Sequence, residues 1–473
     1  MTRISFGTSG WRAIMSDDFT FANVKTCCQA IADYLQREKL AARGVVIGHD
    51  SRFMGESFAA ECARVMAANG IPAYLCIRET PTPVIAREII SNQRAGGINI
   101  TASHNPPTYN GIKFSPAWGG PALPATTSWI ADRANELLAA RQYREITLDQ
   151  AREDGRLHAC DPRPAYLEEL KSKIDLEAIG RAGLKIAIDP LYGTSRGYLD
   201  QVLRNAAREI NVIHDWRDPY FGGRRPEPAA DNLAELVQAV RSGNADLGLA
   251  TDGDADRFGI IDRGGEFIEA NIFLALVADY LLSERSWEGG LARSVATTHL
   301  LDRVARHHGR RLYETPVGFK FIGELLTQDA IVMGGEESAG LTIKGHVPEK
   351  DGILACLLAA EMVARRGKSL GEQRDDLFAR VGPLYSRRLN LRLNDELSRK
   401  IREVLAEPHA SIGSFKVEEI NKTDGVKFLL GADRWLLIRL SGTEPVARLY
   451  AEAPTAAELN DLISAGRRQF FNQ

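Results

Sequence analysis

Residues 45–106 read VVIGHDSRFMGESFAAECARVMAANGIPAYLCIRETPTPVIAREIISNQRAGGINITASHNP. An apolar run at 45–48 is followed by a helical pattern near 58–68, a second run at 73–77, a helical stretch at 84–90 and a third run at 97–100. The runs are of strand length and the segments between them carry helical periodicity, so the stretch predicts consecutive βαβ units on a largely parallel sheet. The polar segment 101–106 comes directly after the third run. Open α/β sheets bind their ligands beyond the carboxyl ends of such strands.

The same plan recurs twice downstream. Runs at 185–188, 211–213 and 246–250, with the clearest helical pattern at 233–240, make a second unit. Runs at 295–297, 312–313 and 331–333, with helical stretches around 301–305 and 319–326, make a third. The units share no sequence identity; the repeat is architectural. Polar segments 252–257 and 335–340 follow the third run of their units as 101–106 does, so three loops can converge on one cleft. The last segment differs, with strands expected at 389–393, 415–419, 425–430, 435–440 and 448–452 ahead of a helix over 456–470. The reading is an α/β protein of three similar domains with mixed, largely parallel sheets, at 1–160, 161–267 and 268–385, plus a C-terminal α+β domain at 386–473, around a central cleft. The stretch 156–163 and the pair Gly382 and Pro383 are linker-like.

Bulk properties narrow the function. The chain has 473 residues, with 59 Lys and Arg against 62 Asp and Glu, a formal charge of -3. That balance offers no field for nucleic acid or an anionic membrane, so neither partner is expected and an anionic small molecule must be caught by local charge. Cys27, Cys28, Cys62, Cys76, Cys160 and Cys356 form no CxxC pair, which argues against a zinc site or a disulfide framework. Residues 1–15 lack an apolar core of signal-peptide length, and the longest apolar stretch, 273–282, contains Asp279 and is too short to span a bilayer. The cytoplasm is the expected compartment.

Four loops carry the chemistry. In 252–257, Asp-Gly-Asp-Ala-Asp-Arg, Asp252, Asp254 and Asp256 alternate and can aim three carboxylates at one hard cation such as Mg²⁺. An EF-hand would need Gly and Glu where Arg257 and Arg263 stand. A solvated acidic turn is the alternative. In 101–106, Ser103 offers a hydroxyl beside the imidazole of His104; no Gly-x-Ser-x-Gly is present, and a polar strand-to-helix turn with Ser103 or Asn105 as cap is equally open. In 335–340, Glu336, Glu337 and Ser338 between glycines suit sugar hydroxyls, or a plain helix start. In 439–445, Arg439, Ser441, Gly442 and Thr443 can encircle a phosphate, though the Lys-Ser/Thr of a nucleotide-binding P-loop is missing, and a plain hairpin turn is the alternative. Residues 7–12, which include Arg12, and residues 49–52, where Arg52 and Asp50 could form a local ion pair, support these.

Taken in order, these motifs resemble the α-D-phosphohexomutase superfamily of phosphoglucomutases, phosphomannomutases and phosphoglucosamine mutases, over the whole chain. The resemblance implies a phosphorylated serine at Ser103 and Mg²⁺ held by that phosphoserine with Asp252, Asp254 and Asp256. It implies Arg257 and Arg12 near the phosphoserine, and Glu336 and Ser338 reading sugar hydroxyls. Arg439, Ser441, Gly442 and Thr443 are expected on the non-transferring phosphate, Lys113 and Lys320 fall where the family places active-site lysines, and His104, beside the serine, is a further catalytic candidate. The implied reaction interconverts hexose 1-phosphate and hexose 6-phosphate through a hexose 1,6-bisphosphate, with glucose ahead of mannose and glucosamine. Many dual-specificity members carry Met at the position of Glu337 and His at that of Gly340; the departure points to Lys320 and Lys113 for the base. Two rivals remain: a phosphatase with Asp252 as nucleophile, which would leave Ser103 dispensable, and a non-catalytic phosphosugar sensor, which would have no need of Ser103 with all three aspartates.

Overall fold

The computed structural model describes every residue except 1, 2, 8, 141, 408, 441–445, 472 and 473, and only the backbone of Asp395. Its first sheet has six strands in the order Trp11–Ile14, Tyr109–Pro116, Gly96–Ile100, Val45–His49, Ala73–Cys76, Leu157–Cys160. The second has five, in the order Phe267–Ile268, Phe258–Asp262, Leu247–Thr251, Lys185–Asp189, Glu209–Val212. The third has four, in the order Leu312–Thr315, Gly290–Ser294, Ile331–Glu336, Gly340–Ile343.

One motif underlies all three. The first strand of each unit lies between the second and the third, parallel to both, and a fourth strand returns antiparallel to the third. The returning strands, Tyr109–Pro116, Phe258–Asp262 and Gly340–Ile343, change how the polar loops are read. Each loop joins two antiparallel strands, so 101–106 is a hairpin connection and not a strand-to-helix turn. In each, a residue other than glycine sits at positive φ: Ser103 at 52°, Ala255 at 58° and Ala339 at 65°. Such a conformation is unfavourable for a residue with a Cβ and persists where the surroundings hold it.

Three expectations shift. The strand placed at 295–297 ends at Ser294. Its apolar residues serve a different contact, since Val295 and Ala296 pack on Trp435, Leu437 and Tyr450 of the last unit. The linker-like stretch 156–163 contains the edge strand Leu157–Cys160, whose half-exposed residues leave no apolar run to read. The third polar loop also begins inside a strand, because Ile331–Glu336 runs to Glu336.

The helix Gly352–Arg366 is buried over nearly its whole length and contributes to a core that spans the second and third units. The apolar stretch around 273–282 is a buried helix, Ala270–Ser283, in which Asp279 is bonded by Arg366, Arg380 and His308. A helix apolar on every side belongs in such a core. A polar clamp joins the three α/β units: Arg87 donates to Glu169 at 2.6 Å, and the buried His346 lies 3.2 Å from Glu169 and 2.7 Å from Asp351. Burial opposes charge on His346, but the two carboxylates outweigh it and raise its pKa to about 9.

The last unit is an antiparallel sheet in the order Tyr385–Arg392, Val446–Ala453, Trp435–Leu440, Val426–Leu429, Glu419–Asn421. The helices Asp395–Ala406 and Ala456–Gly466 bury Ile401, Leu405, Leu459 and Leu462 with Ile438 and Leu449 of that sheet. No helix among the described residues is long and apolar enough to cross a membrane.

Candidate active site

The three hairpin loops meet. Ser103 is fully buried, and its Oγ donates to Asp252 Oδ2 at 2.8 Å. His104 Nδ1 is 3.3 Å from the same Oγ. The approach is close enough to need glycine at 253, where a Cβ would stand 2.8 Å from the Ser103 carbonyl oxygen.

Asp252, Asp254 and Asp256 offer oxygens that all lie within 4.8 Å of one another. Asp252 Oδ1 accepts from the backbone N–H groups of Asp256 and Arg257 at 2.9 and 3.0 Å. Asp254 Oδ2 accepts from Thr82 and Lys113, each at 2.5 Å. Asp256 Oδ2 accepts from Lys113 at 2.8 Å and lies 3.1 Å from Lys350 Nζ. Burial, and then the charges of Asp254 and Asp256, push the Asp252 carboxyl well above the usual carboxylate range. Burial raises the other two as well, and the charge of Asp256 adds to it at Asp254, but Lys113 with Thr82 at Asp254, and Lys113, Lys350 and Arg257 at Asp256, together prevail, and both are lowered.

Asp254 Oδ1 and Asp256 Oδ1 are buried and accept no hydrogen bond. Unmet carboxylate oxygens in a cluster that already strains the ionisation of Asp252 are what a hard divalent cation would satisfy. The residues fit such an ion.

The expected cations distribute unevenly. Arg12 donates to Asn105 Oδ1 at 2.8 Å, beside the Ser103 loop. Arg257 lies 3.7 Å from Glu227 and 4.0 Å from Asp256. Lys113 is committed to two aspartates, and their charges raise its pKa against the effect of burial. The Lys320 amine is lowered by burial, partly offset by Glu336 and Asp424. Its charged neighbours therefore belong to the third polar loop and the last unit, not to the aspartate cluster. His104 is held well below the usual histidine range by burial and by Arg257 and Arg12, so its ring is neutral.

Glu336 accepts from Gly318 N–H at 2.7 Å, and burial followed by the charge of Glu337 raises its pKa to about 7. Glu337 and Ser338 line a cavity of about 780 Å³ that also borders Arg257, Tyr385, Arg388 and Tyr450. That cavity opens beside the third polar loop, toward the last unit, and its wall does not include Ser103. Arg439 donates to Asp424 at 2.7 Å. Ser441, Gly442 and Thr443 lie outside the described residues.

Sequence reasoning missed Lys350 and Thr82. Lys350 is buried and cationic against Asp256 and Glu349, immediately before Asp351, which caps the helix Gly352–Arg366. A lysine next to a helix cap carries no local signal of a partner in another unit. Thr82 opens the helix Thr82–Ser91 and reads there as an ordinary start residue.

Phosphoglucomutase/phosphomannomutase domain models match in order: α/β/α domain I over 3–141, domain II over 146–265, domain III over 269–381 and the C-terminal domain over 389–467. A phosphoglucomutase/phosphomannomutase of Thermococcus kodakarensis is 31% identical over 98% of this chain and 97% of its own. A phosphoglucomutase of Komagataeibacter xylinus is 30% identical over 98% and 91%. A provisionally named phosphoglucosamine mutase of Pyrococcus horikoshii is 32% identical over 95% and 94%. The crystal structure of a provisionally named phosphomannomutase of Thermus thermophilus superposes with a TM-score of 0.85 at 31% identity, covering 99% of each chain. The chain belongs to the phosphoglucomutase/phosphomannomutase family and is a phosphohexomutase, an intramolecular phosphotransferase of the isomerase class.

Proposed function

We propose that this phosphohexomutase interconverts hexose 1-phosphate and hexose 6-phosphate through a phosphoserine at Ser103, with glucose preferred and mannose accepted. The observation that carries the reading is the 2.8 Å contact of Ser103 Oγ with Asp252 inside the buried aspartate cluster. A phosphatase using Asp252 as nucleophile would have no use for a serine hydroxyl bonded to that carboxylate.

Mg²⁺ is the proposed ion, held by Asp252, Asp254 and Asp256 together with the phosphoserine. Bound there, it supplies positive charge to the transferring phosphoryl oxygens. The N-acetylphosphoglucosamine mutase of Aspergillus fumigatus, related in fold at a TM-score of 0.58 and 16% identity, has been solved with GlcNAc-6P and magnesium.

The chain's own residues then divide the work. Arg12 and Arg257 face the phosphoserine and offset charge as it develops. Glu336 and Ser338 accept from sugar hydroxyls, which turns the free hydroxyl toward Ser103. The bond from phosphorus to Ser103 Oγ breaks as the bond to that hydroxyl forms, and the hydroxyl proton passes to a base. The incoming hydroxyl attacks phosphorus from the side opposite Oγ, so its base is neither His104, which lies beside the leaving Oγ and can return a proton to it, nor Lys113, whose amine is held protonated by two aspartates. Lys320, whose amine is lowered by burial and whose charged neighbours are Glu336 and Asp424, is the base for that hydroxyl, and the second transfer runs both proton steps in reverse. The hexose 1,6-bisphosphate turns over and returns its other phosphate to Ser103.

The expected result is direct. After incubation with glucose 1,6-bisphosphate, intact mass should rise by about one phosphate group, mapped to the peptide containing Ser103. No gain in mass, or phosphate found on Asp252, overturns the reading. The Glu336-Glu337-Ser338 loop supports the sugar order; relatives named for glucose, for glucose or mannose, and for glucosamine are about equally similar, which keeps all three sugars in the assay. Turnover of glucosamine 1-phosphate faster than glucose 1-phosphate would reverse the order.

Two further outcomes are expected. Arg439→Ala should raise KM for glucose 1-phosphate about tenfold to a hundredfold, the worth of a lost charge-assisted bond to the distal phosphate, while Ser103 is still phosphorylated. An unchanged KM with phosphoserine lost would exchange the two phosphate sites. The second outcome concerns pH. Glu336 must be ionised to accept well from sugar hydroxyls, and its pKa is raised to about 7. As pH falls through that value the carboxylate is protonated, so kcat/KM should fall on the acid side. Glu336→Gln should lower activity and abolish that limb; a limb that persists in the variant belongs to another group.

A further inference from the structure

Asp50 and Arg52 follow the strand Val45–His49, and both are fully buried. The Arg52 guanidinium directs four bonds at one loop. Nη2 donates to the carbonyls of Ser103 and Asn105, each at 2.7 Å, and Nη1 to those of Pro106 and Tyr109 at 2.8 and 2.9 Å. Its Nε donates to Asp50 Oδ2 at 3.1 Å. The same oxygen accepts from Thr101 Oγ1 at 2.6 Å, and Thr101 Oγ1 in turn accepts from Ser103 N–H at 2.9 Å. Phe221, from the second unit, covers the guanidinium with its ring centroid 5.0 Å away.

A local ion pair between Asp50 and Arg52 would not need these contacts. Four donors on carbonyls that begin at Ser103, and a hydroxyl on its N–H, grip the serine's peptide groups from both sides. Ser103 is also the residue held at φ 52°. A left-handed serine is kept only by surroundings that over-determine it, and these bonds are those surroundings.

We propose that Arg52, backed by Asp50 and Thr101, is a positioning residue that holds Ser103 in its left-handed conformation with Oγ aimed at Asp252 and the incoming phosphoryl group. The proposal rests on Ser103 as the phosphoryl carrier. Lysine at 52 would keep the charge beside Asp50 but lacks the planar fork that reaches four carbonyls. Misplacing a reacting atom by about 1 Å costs on the order of a hundredfold in rate without a matching cost in binding.

The test is phosphorylation of Ser103 by glucose 1,6-bisphosphate, followed by intact mass, with steady-state kinetics on glucose 1-phosphate. Arg52→Lys should slow phosphorylation and kcat together by about a hundredfold, with KM within about threefold. Thr101→Val, nearly isosteric, should be slowed in the same sense, and Thr101→Ser, which restores the hydroxyl, should recover most of the rate. The Thr101 pair decides the matter even if Arg52→Lys does not fold. Equal rates for Thr101→Val and Thr101→Ser, or wild-type phosphorylation by folded Arg52→Lys, overturn the proposal. Wild-type protein that takes up no phosphate would instead refute Ser103 as carrier.

Discussion

Ser103→Ala is expected to lose at least about a thousandfold in kcat on glucose 1-phosphate while its fold and melting temperature stay close to wild type. The substitution removes Oγ and with it the only atom of residue 103 that can hold the phosphoryl group. It also removes the bond to Asp252, but the peptide groups of the loop keep their partners in Arg52 and Thr101. Alanine at positive φ carries the same Cβ as serine, so the backbone gains no new strain. Steady-state kinetics beside circular dichroism would check this. Retention of more than about a tenth of the activity, against the loss expected of a missing nucleophile, would rule out the phosphoserine route.

Chelation is expected to abolish turnover reversibly, and Asp254→Asn to raise the Mg²⁺ concentration needed for half-maximal activity by at least about tenfold. The variant removes the charge of one of the three proposed aspartate ligands and leaves Lys113 with Asp256 as its remaining carboxylate. The fold should survive both treatments. Lys113, Thr82 and Lys350 already bond one oxygen of Asp254 or Asp256, so the cluster keeps counter-charge without the ion. Activity should return on adding Mg²⁺ to the chelated protein. Full activity in excess chelator would remove the metal from the mechanism.

The three units were legible because their first three strands are short apolar runs spaced by helices. The antiparallel fourth strands were not. Tyr109–Pro116 mixes Asn110, Gly111 and Lys113 with its apolar residues, since it carries a site lysine on a buried face. The run 295–297 misled for the opposite reason, being apolar for a contact between units. The carboxylates of the aspartate loop announce themselves through spacing alone. Lys350 and Thr82 do not, because their partners come from another unit. Arg52 lies between these cases: its neighbour Asp50 could be read, whereas the carbonyls it holds belong to peptide groups that any sequence supplies.

The shared hairpin bears on how such an enzyme can change. Each of the three units offers the same turn, with Ser103, Ala255 or Ala339 at positive φ, but different side chains around it. In the proposed assignment one turn carries the phosphoryl group, one seats the cation and one reads the sugar. The labour is modular, so selection for a new hexose can rewrite residues 336–338 while the carrier and the ion seat keep their geometry. Drift in the other two turns has no such latitude. Tolerance to substitution should therefore be lopsided across three loops of one backbone design, widest in the third.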